Sequence, residues 1–507
     1  MTTSPPSSLQ STLAFLSKTT GLFLIVRIVG ACASIGLLPL FTRYLTPSEY
    51  GIIALLDTTV AIFAAFCTAG LGRAVARFYH SAADNQQRRQ VVSTAMLMTG
   101  AITICALVAL PLLSSPIASF TLKSHEYDNF VLLAISAMLL DLPGGIATMA
   151  LETSGRYRII YIIELVRIVF STSLKIYLVV FLRQGVDGVL WTNLISAVLF
   201  SGCLALWTIC SVGIHIDRSL IRPMLRYGMP FIPTVLSSIG MHSLNRFYLG
   251  AYTTSEQVAY YQLALQFPFA LNSLILNSFE AAWSSRAVFT VAKEPDALHQ
   301  YSRISTYFLA LLSFLLFSVA ISAKILVKIF AAPSYAPAAQ YIPFVAFGLW
   351  LYTFHVFVRT GVTISKDTYL MTINYGLTLG ATVLLNWILI PRFGAYGAAY
   401  ATVMIYFFFS FAGGFIYKGF QYLDLRRLTS IAIIWVSLVL LRNQIDMQFI
   451  YTEILCDIFF SVLYLFLILY LPFCTSKKER IAAYDFIKNI LKQKINTSFA
   501  KREAHQK

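Results

Sequence analysis

Thr46-Pro47-Ser48-Glu49 opens an apolar, aromatic-rich run, and Thr253-Thr254-Ser255-Glu256 opens another 207 residues later. A second pair, Arg183-Gln184-Gly185-Val186-Asp187-Gly188 and Arg392-Phe393-Gly394-Ala395-Tyr396-Gly397, is offset by 209. Two matches at nearly one spacing point to an internal duplication. The units are 19–213 and 228–417, joined by a linker at 214–227 and followed by an apolar segment at 428–473. In the second pair the glycines permit a tight turn before the next helix.

Outward from these marks, apolar windows bounded by polar or Gly/Pro punctuation fall at 19–42, 51–72, 91–113, 129–151, 159–182, 188–213, 228–250, 258–285, 304–327, 338–358, 369–390, 395–417, 428–441 and 451–473. A bilayer-crossing helix takes about 20 residues. The expected fold class is therefore an all-α polytopic membrane protein of fourteen transmembrane helices: two six-helix bundles related by pseudo-two-fold symmetry, plus two C-terminal helices. Six is even, so both bundles enter the membrane from the same side, as parallel repeats about an axis along the membrane normal. The thirteenth window, Leu428 to Leu441, is short enough for an interfacial segment. Arg426, Arg427 and Arg442 at its edges are expected to snorkel and rescue it as a span.

Composition agrees. Of 507 residues, 58% are hydrophobic and 12% charged, against roughly 45–50% and about 25% in soluble domains. Fourteen spans leave no length for a large soluble catalytic domain. With the N-terminus inside, the inner connections and C-terminal tail collect 27 Lys and Arg and the outer connections six. That asymmetry places both termini in the cytoplasm and explains the net charge of +16 without nucleic acid as a partner. Residues 1–18 read as a short cytoplasmic lead, the first apolar run as a retained helix, being too long for a signal-peptide core and without a small-residue cleavage site after it, and 474–507 as a basic cytoplasmic tail that anchors topology beside anionic membrane lipids. The seven cysteines lie in or beside apolar runs with no metal spacing, so neither a disulfide scaffold nor a metal site is expected.

Phe41-Thr42-Arg43-Tyr44-Leu45-Thr46-Pro47-Ser48-Glu49-Tyr50-Gly51 resembles the end of the first helix in Wzx-type oligosaccharide flippases, the polysaccharide transporters of the MOP flippase superfamily. Leu225-Arg226-Tyr227-Gly228-Met229-Pro230-Phe231-Ile232-Pro233, Gly155-Arg156-Tyr157-Arg158 and Gly394-Ala395-Tyr396-Gly397-Ala398-Ala399-Tyr400 resemble the same family, in order, across about residues 20–417. The resemblance implies movement of an undecaprenyl-pyrophosphate-linked oligosaccharide from the inner to the outer leaflet by alternating access between two lobes. It implies a bacterial inner-membrane location and a place in O-antigen, capsule or exopolysaccharide assembly. A monomer is expected, with other polysaccharide assembly proteins as further partners and no cofactor beyond coupling to H+ or Na+.

Ionisable groups at bilayer depth cost roughly 2.5–3.5 kcal/mol each and so face partners or water-filled cavities. The bases are Arg27, Arg167, Lys175 and Arg246, and the acids Asp57, Asp141, Glu164 and Glu280. Glu164, Arg167 and Lys175 share one broad helical face. A pyrophosphate needs charge compensation along its path, and guanidinium binds phosphate oxygens bidentately. The four bases are thus read as a substrate ladder. The competing reading is mutual pairing, Glu164 with Arg167 above all, because bases and acids are equal in number. Asp57 and Asp141 are candidates for ion coupling or for charge pairing. Pro143, Gly144 and Gly145 are expected to break the fourth helix as a hinge, and Pro230 and Pro233 to act similarly in the seventh or to punctuate its start. Two rival functions remain open. A cation-coupled multidrug antiporter of the same superfamily predicts a dominant acidic pocket. A membrane glycosyl- or acyltransferase needs acid/base groups, for which His242, His355 and Glu280 are the in-span candidates.

Overall fold

The computed structural model describes residues 8–283, 288–292, 294–365, 367, 369–445 and 449–470. The whole of the tail expected at 474–507, the first residues of the lead, and Arg286, Lys293 and Lys366 lie outside the described residues. The chain forms helices α1 (Ser8–Tyr44), α2 (Pro47–Cys67), α3 (Leu71–Ser81), α4 (Asn85–Thr121), α5 (Asp128–Thr153), α6 (Tyr157–Ile176), α7 (Gly185–Ser196), α8 (Cys203–Val212) and α9 (Arg218–Gly228). It continues through α10 (Ile232–Tyr252), α11 (Ser255–Ala282), α12 (Val288–Val291), α13 (Ala297–Ile321), α14 (Ala323–Phe330), α15 (Ile342–Val358), α16 (Thr360–Ser365), α17 (Tyr369–Ile416), α18 (Leu425–Asn443) and α19 (Ile450–Tyr470). π-helical turns extend α6 over Tyr177–Phe181 and join α7 to α8 over Ala197–Gly202. Helix therefore occupies every apolar window. It also begins at Ser8, inside the expected lead.

Local chemistry sets the helix starts. At α2 the Glu49 backbone N–H donates to the Thr46 hydroxyl at 3.3 Å and the Thr46 N–H donates to the Glu49 carboxylate at 2.8 Å, with Pro47 beginning the helix. This is a capping box with proline at its favoured position. α17 runs through the eleventh and twelfth windows and bends at Gly394, whose φ of 57° and ψ of −131° lie outside helical space.

The duplicated loops are also spatial partners. A Cβ on Gly185 would stand 2.9 Å from Glu49 Oε1, and one on Gly394 would stand 2.6 Å from Gln257 Oε1. In each half the second motif thus lies against the first. The two copies of the first motif also meet each other, since a Cβ on Gly51 would fall 1.9 Å from the Ser255 carbonyl oxygen. Gly250 meets Leu55 just below. The Tyr335 hydroxyl donates to the Leu45 carbonyl at 3.1 Å and the Ala332 N–H to the Thr42 hydroxyl at 3.1 Å, so this face of the molecule is shut. At the opposite face Gly70 abuts Gly228, and Arg73 and Arg77 stack over Phe231 and Tyr227 at 4.4 and 4.5 Å. These contacts tie the linker helix α9 and the start of α10 to α3.

The outer surface is apolar in a way that water would not tolerate. Along α4, Ile104, Val108 and Leu112 form an exposed stripe at i+4 spacing, with Leu112 82% exposed. Comparable exposure recurs on α17, α18 and α19, far beyond the scattered apolar residues of a soluble monomer. The protein is an all-helical polytopic membrane protein. Among the described residues nine helical segments are long and apolar enough to cross a membrane, α17 counting as one. The windows that fall short coincide with α6, α10, α11 and α18, the helices carrying Glu164, Arg167 and Lys175, then His242, Asn245 and Arg246, then Gln266 and Glu280, then Arg426, Arg427 and Arg442. Their polarity lowers the signal and marks them as helices with something to face.

Two expectations need correction. α5 does not break at Pro143 but runs unbroken from Asp128 to Thr153. The proline frees the Leu139 carbonyl, and the Thr103 hydroxyl of α4 donates to it at 3.1 Å, which restores the lost bond. Gly144 serves close packing against Ser201, while a Cβ on Gly145 would meet open space. Pro230 and Pro233 sit in the 3₁₀ turn before α10 and in its first turn, where they punctuate a helix start rather than divide a span.

Candidate functional site

Asp57 of α2 keeps an exposed side chain although it lies deep in the fold. Lys175 of α6 and Arg246 of α10 both lie within electrostatic reach of it. Arg246 donates from Nη2 to the His242 carbonyl and the Ser243 hydroxyl, each at 3.3 Å, and its buried Nε has no hydrogen-bond partner. Tyr50 completes the group and accepts a bond from Gln266 at 3.4 Å. One carboxylate therefore faces two cations from other helices, which leaves a surplus of positive charge.

Gln266 also lines a second cavity of about 680 Å³ between α1, α5, α6 and α11, with Arg27, Glu152, Glu164 and Asn277 in its wall. Arg27 and Glu164 are exposed to that space. Gln266 thus touches both Tyr50 beside Asp57 and this cavity.

The remaining candidates are paired elsewhere. Arg167 Nη2 donates to Asp141 Oδ1 at 2.8 Å and Nη1 approaches the Ser201 hydroxyl at 3.5 Å, with Ser201 also bonding Asp141. The pairing partner is thus Asp141 rather than Glu164. Glu164 points to the cavity shared with Arg27, so the supposed common face of α6 divides between the interior of the first half and the space between halves. Glu280 pairs with Arg359 across α11 and α15. The structure brings Asp57, Lys175 and Arg246 together and Arg27 beside Glu164, and it sets Arg167–Asp141 and Glu280 apart.

Sequence reasoning missed Tyr50, Gln266 and Glu152. Tyr50 and Gln266 bear no charge to single them out, and Glu152 lies one residue beyond its apolar window. The histidines serve packing. His242 Nδ1 shares a 2.6 Å hydrogen bond with the Tyr406 hydroxyl, and His355 stacks on Phe409 at 4.0 Å. Among the described residues no cluster of three or more His, Cys, Asp or Glu could hold a metal.

Comparison with known proteins places this geometry. Across 89% of the chain and 98% of its counterpart, the fold superposes on lipid II flippase MurJ in an inward closed conformation with a TM-score of 0.71 at 13% identity. It matches an inward-facing multidrug resistance MATE transporter of the MOP superfamily over 78% of the chain and 97% of the transporter, at TM-score 0.58 and 16% identity. A Pyrococcus furiosus MOP transporter described by a binding pocket of reversed polarity gives 0.53 at 15%, over 79% of the chain and 95% of that protein. At such identities the likeness is one of fold, and the fold is that of transporters. No curated protein matches the chain in sequence. The family described as polysaccharide biosynthesis protein matches residues 40–340, more than half of the sequence, and the chain belongs to that family.

Proposed function

We propose that the protein is a flippase that moves a polyprenyl-pyrophosphate-linked oligosaccharide from the cytoplasmic to the outer leaflet of a bacterial inner membrane, for O-antigen, capsule or exopolysaccharide assembly. The observation that carries the reading is the cluster in which Lys175 and Arg246 outnumber Asp57. A diphosphate entering it replaces water with fixed cations, and the planar guanidinium of Arg246 can hold two phosphate oxygens at once. Arg27, in the wider cavity below, is the first cation on the path. Arg167, committed to Asp141, acts as a strut within the first half.

The proposal takes fourteen spans, two lobes at 19–213 and 228–417, and both termini in the cytoplasm, as the charge asymmetry requires. The shut face is then the outer one, and the cavity at Arg27 opens toward the inner leaflet. Alternating access consists in parting α2 from α10 and α11 while closing α1 on α11. Asp57 is the group through which H+ or Na+ would couple, because releasing its charge changes how strongly Lys175 and Arg246 hold an anion.

The test is flipping of a fluorescent polyprenyl-pyrophosphate oligosaccharide in proteoliposomes. Arg246→Ala and Arg27→Ala should each lower the rate at least about tenfold, the loss expected when a charge-assisted bond to phosphate is removed. Full activity in both correctly inserted variants would sink the reading. A second reading has one observation in its favour, since Glu152 and Glu164 share the cavity of Arg27 as a cationic cargo would need. Uptake of a lipophilic cation that depends on Glu164, with no lipid flipping, would select the antiporter.

A further inference from the structure

Away from the central path, a cavity of about 900 Å³ opens on the shut face, where α14, α18 and α19 meet the end of α1. Arg43, Lys324, Lys328 and Arg442 line it, and Glu453 is the one acid in its wall. These four cations come from three regions far apart in the sequence. Lys324 and Lys328 stand one helical turn apart on α14 and are exposed to the space. Arg442 is fixed rather than mobile. It is 4% exposed, with Nε on Asp457 at 2.5 Å, Nη1 on the Ile445 carbonyl at 2.8 Å and Nη2 3.8 Å from Glu453. This departs from the snorkelling expected of Arg442, because α19 supplies carboxylates that draw the guanidinium inward.

The placement runs against topology. Outer connections are poor in Lys and Arg, and positive charge there opposes correct insertion. Three of the six outer cations, Arg43, Lys328 and Arg442, nonetheless converge on this one cavity, joined by Lys324 from the end of a span. Beside Gln340 and Asn443, most of the remaining wall is apolar, with Ile321, Val327, Pro343 and Phe344 among its residues. Cations over an apolar floor suit an amphiphile with an anionic head, whereas a small soluble anion gains nothing from such a floor.

We propose that this cavity binds the phosphate headgroup of a membrane lipid, with Lys324 and Lys328 as the principal contacts, Arg43 closing over it and its chain against the apolar wall. The proposal does not depend on the flippase reading, and its test reads binding rather than transport. Purified protein in phosphatidylcholine nanodiscs doped with phosphatidic acid is examined by native mass spectrometry for retained lipid. The wild type should retain phosphatidic acid over phosphatidylcholine. The exposed pair Lys324→Gln with Lys328→Gln should lose about tenfold of that preference, while Lys418→Gln, an exposed lysine on the opposite face, should keep it. Equal retention in the wild type and the double variant overturns the proposal. Enrichment abolished by millimolar inorganic pyrophosphate, with no dependence on lipid, also overturns it, because the site would then belong to a soluble anion.

Discussion

The first half of the molecule and the second carry matching loop sequences, yet their interiors differ in kind. In the first half two small apolar cores flank an ion pair, Arg167 with Asp141, whose side chains are 31% and 43% exposed. Of α6, only Ile160 is buried. In the second half one continuous core encloses uncharged polar groups, with Asn374, Thr378, Thr382 and Asn386 wholly buried along α17. There Asn386 donates to Asn245 at 3.1 Å, and Asn245 to Tyr261 at 2.8 Å and to Thr402 at 2.7 Å. α18 and α19 extend that core, where Ser313 shares a hydrogen bond with Tyr464, Phe317 stacks on the Tyr464 ring and Trp435 packs on Phe347. The contrast assigns the halves different mechanical parts. A dry, hydrogen-bonded body is the frame, and the wetter, thinly packed half is the part that moves.

If so, damage should scale with enclosure. Arg442→Leu leaves Asp457 buried without its cation and should cost about 3–5 kcal/mol, read as the largest fall in thermal midpoint in detergent. Survival at wild-type stability would refute the second half as frame. Asn245→Val strands the Asn386 amide and should cost about 1–3 kcal/mol, with Asn386→Leu added on top recovering part of it. Arg167→Leu in the half-exposed pair should cost at most about 1 kcal/mol. A drop rivalling that of Arg442→Leu would erase the contrast. The smallest effect is at the linker. The Ser219 hydroxyl and N–H hold the Asp217 carboxyl below the usual carboxylate range, so its cap on α9 is intact above that range and is lost as pH falls through the lowered value. Protection of the amides at 218–221, taken relative to intrinsic exchange at each pH, should fall in acid, and Asp217→Asn should flatten that dependence.

Legibility followed the same division. Every apolar window holds helix, because the cost of exposing backbone to lipid leaves the chain few alternatives, whereas the polar helices α3 and α9 fall between windows. The paired loop motifs signal only duplication in the sequence, and the approach of Glu49 to Gly185 and of Gln257 to Gly394 comes from the fold. Spacing along one helix failed for partners on other helices. It offered Glu164 to Arg167, where the fold supplies Asp141 from α5. It likewise treated Pro143 as a break because Thr103, forty residues earlier, gives no sign of the carbonyl it will satisfy. Lys324 hid inside an apolar window, and Gln266 bears no charge to stand out. Sites shared between helices become readable only once packing is known.

The meeting of Gly51 with Ser255 carries one more consequence. A Cβ at position 51 would fall against the Ser255 backbone, so the seam between α2 and α11 must stay slender there. A methyl at position 51 acts as a wedge that prises the two helices apart. Selection for leaky growth, in which a bulky antibiotic gains entry, should therefore recover substitutions at this glycine.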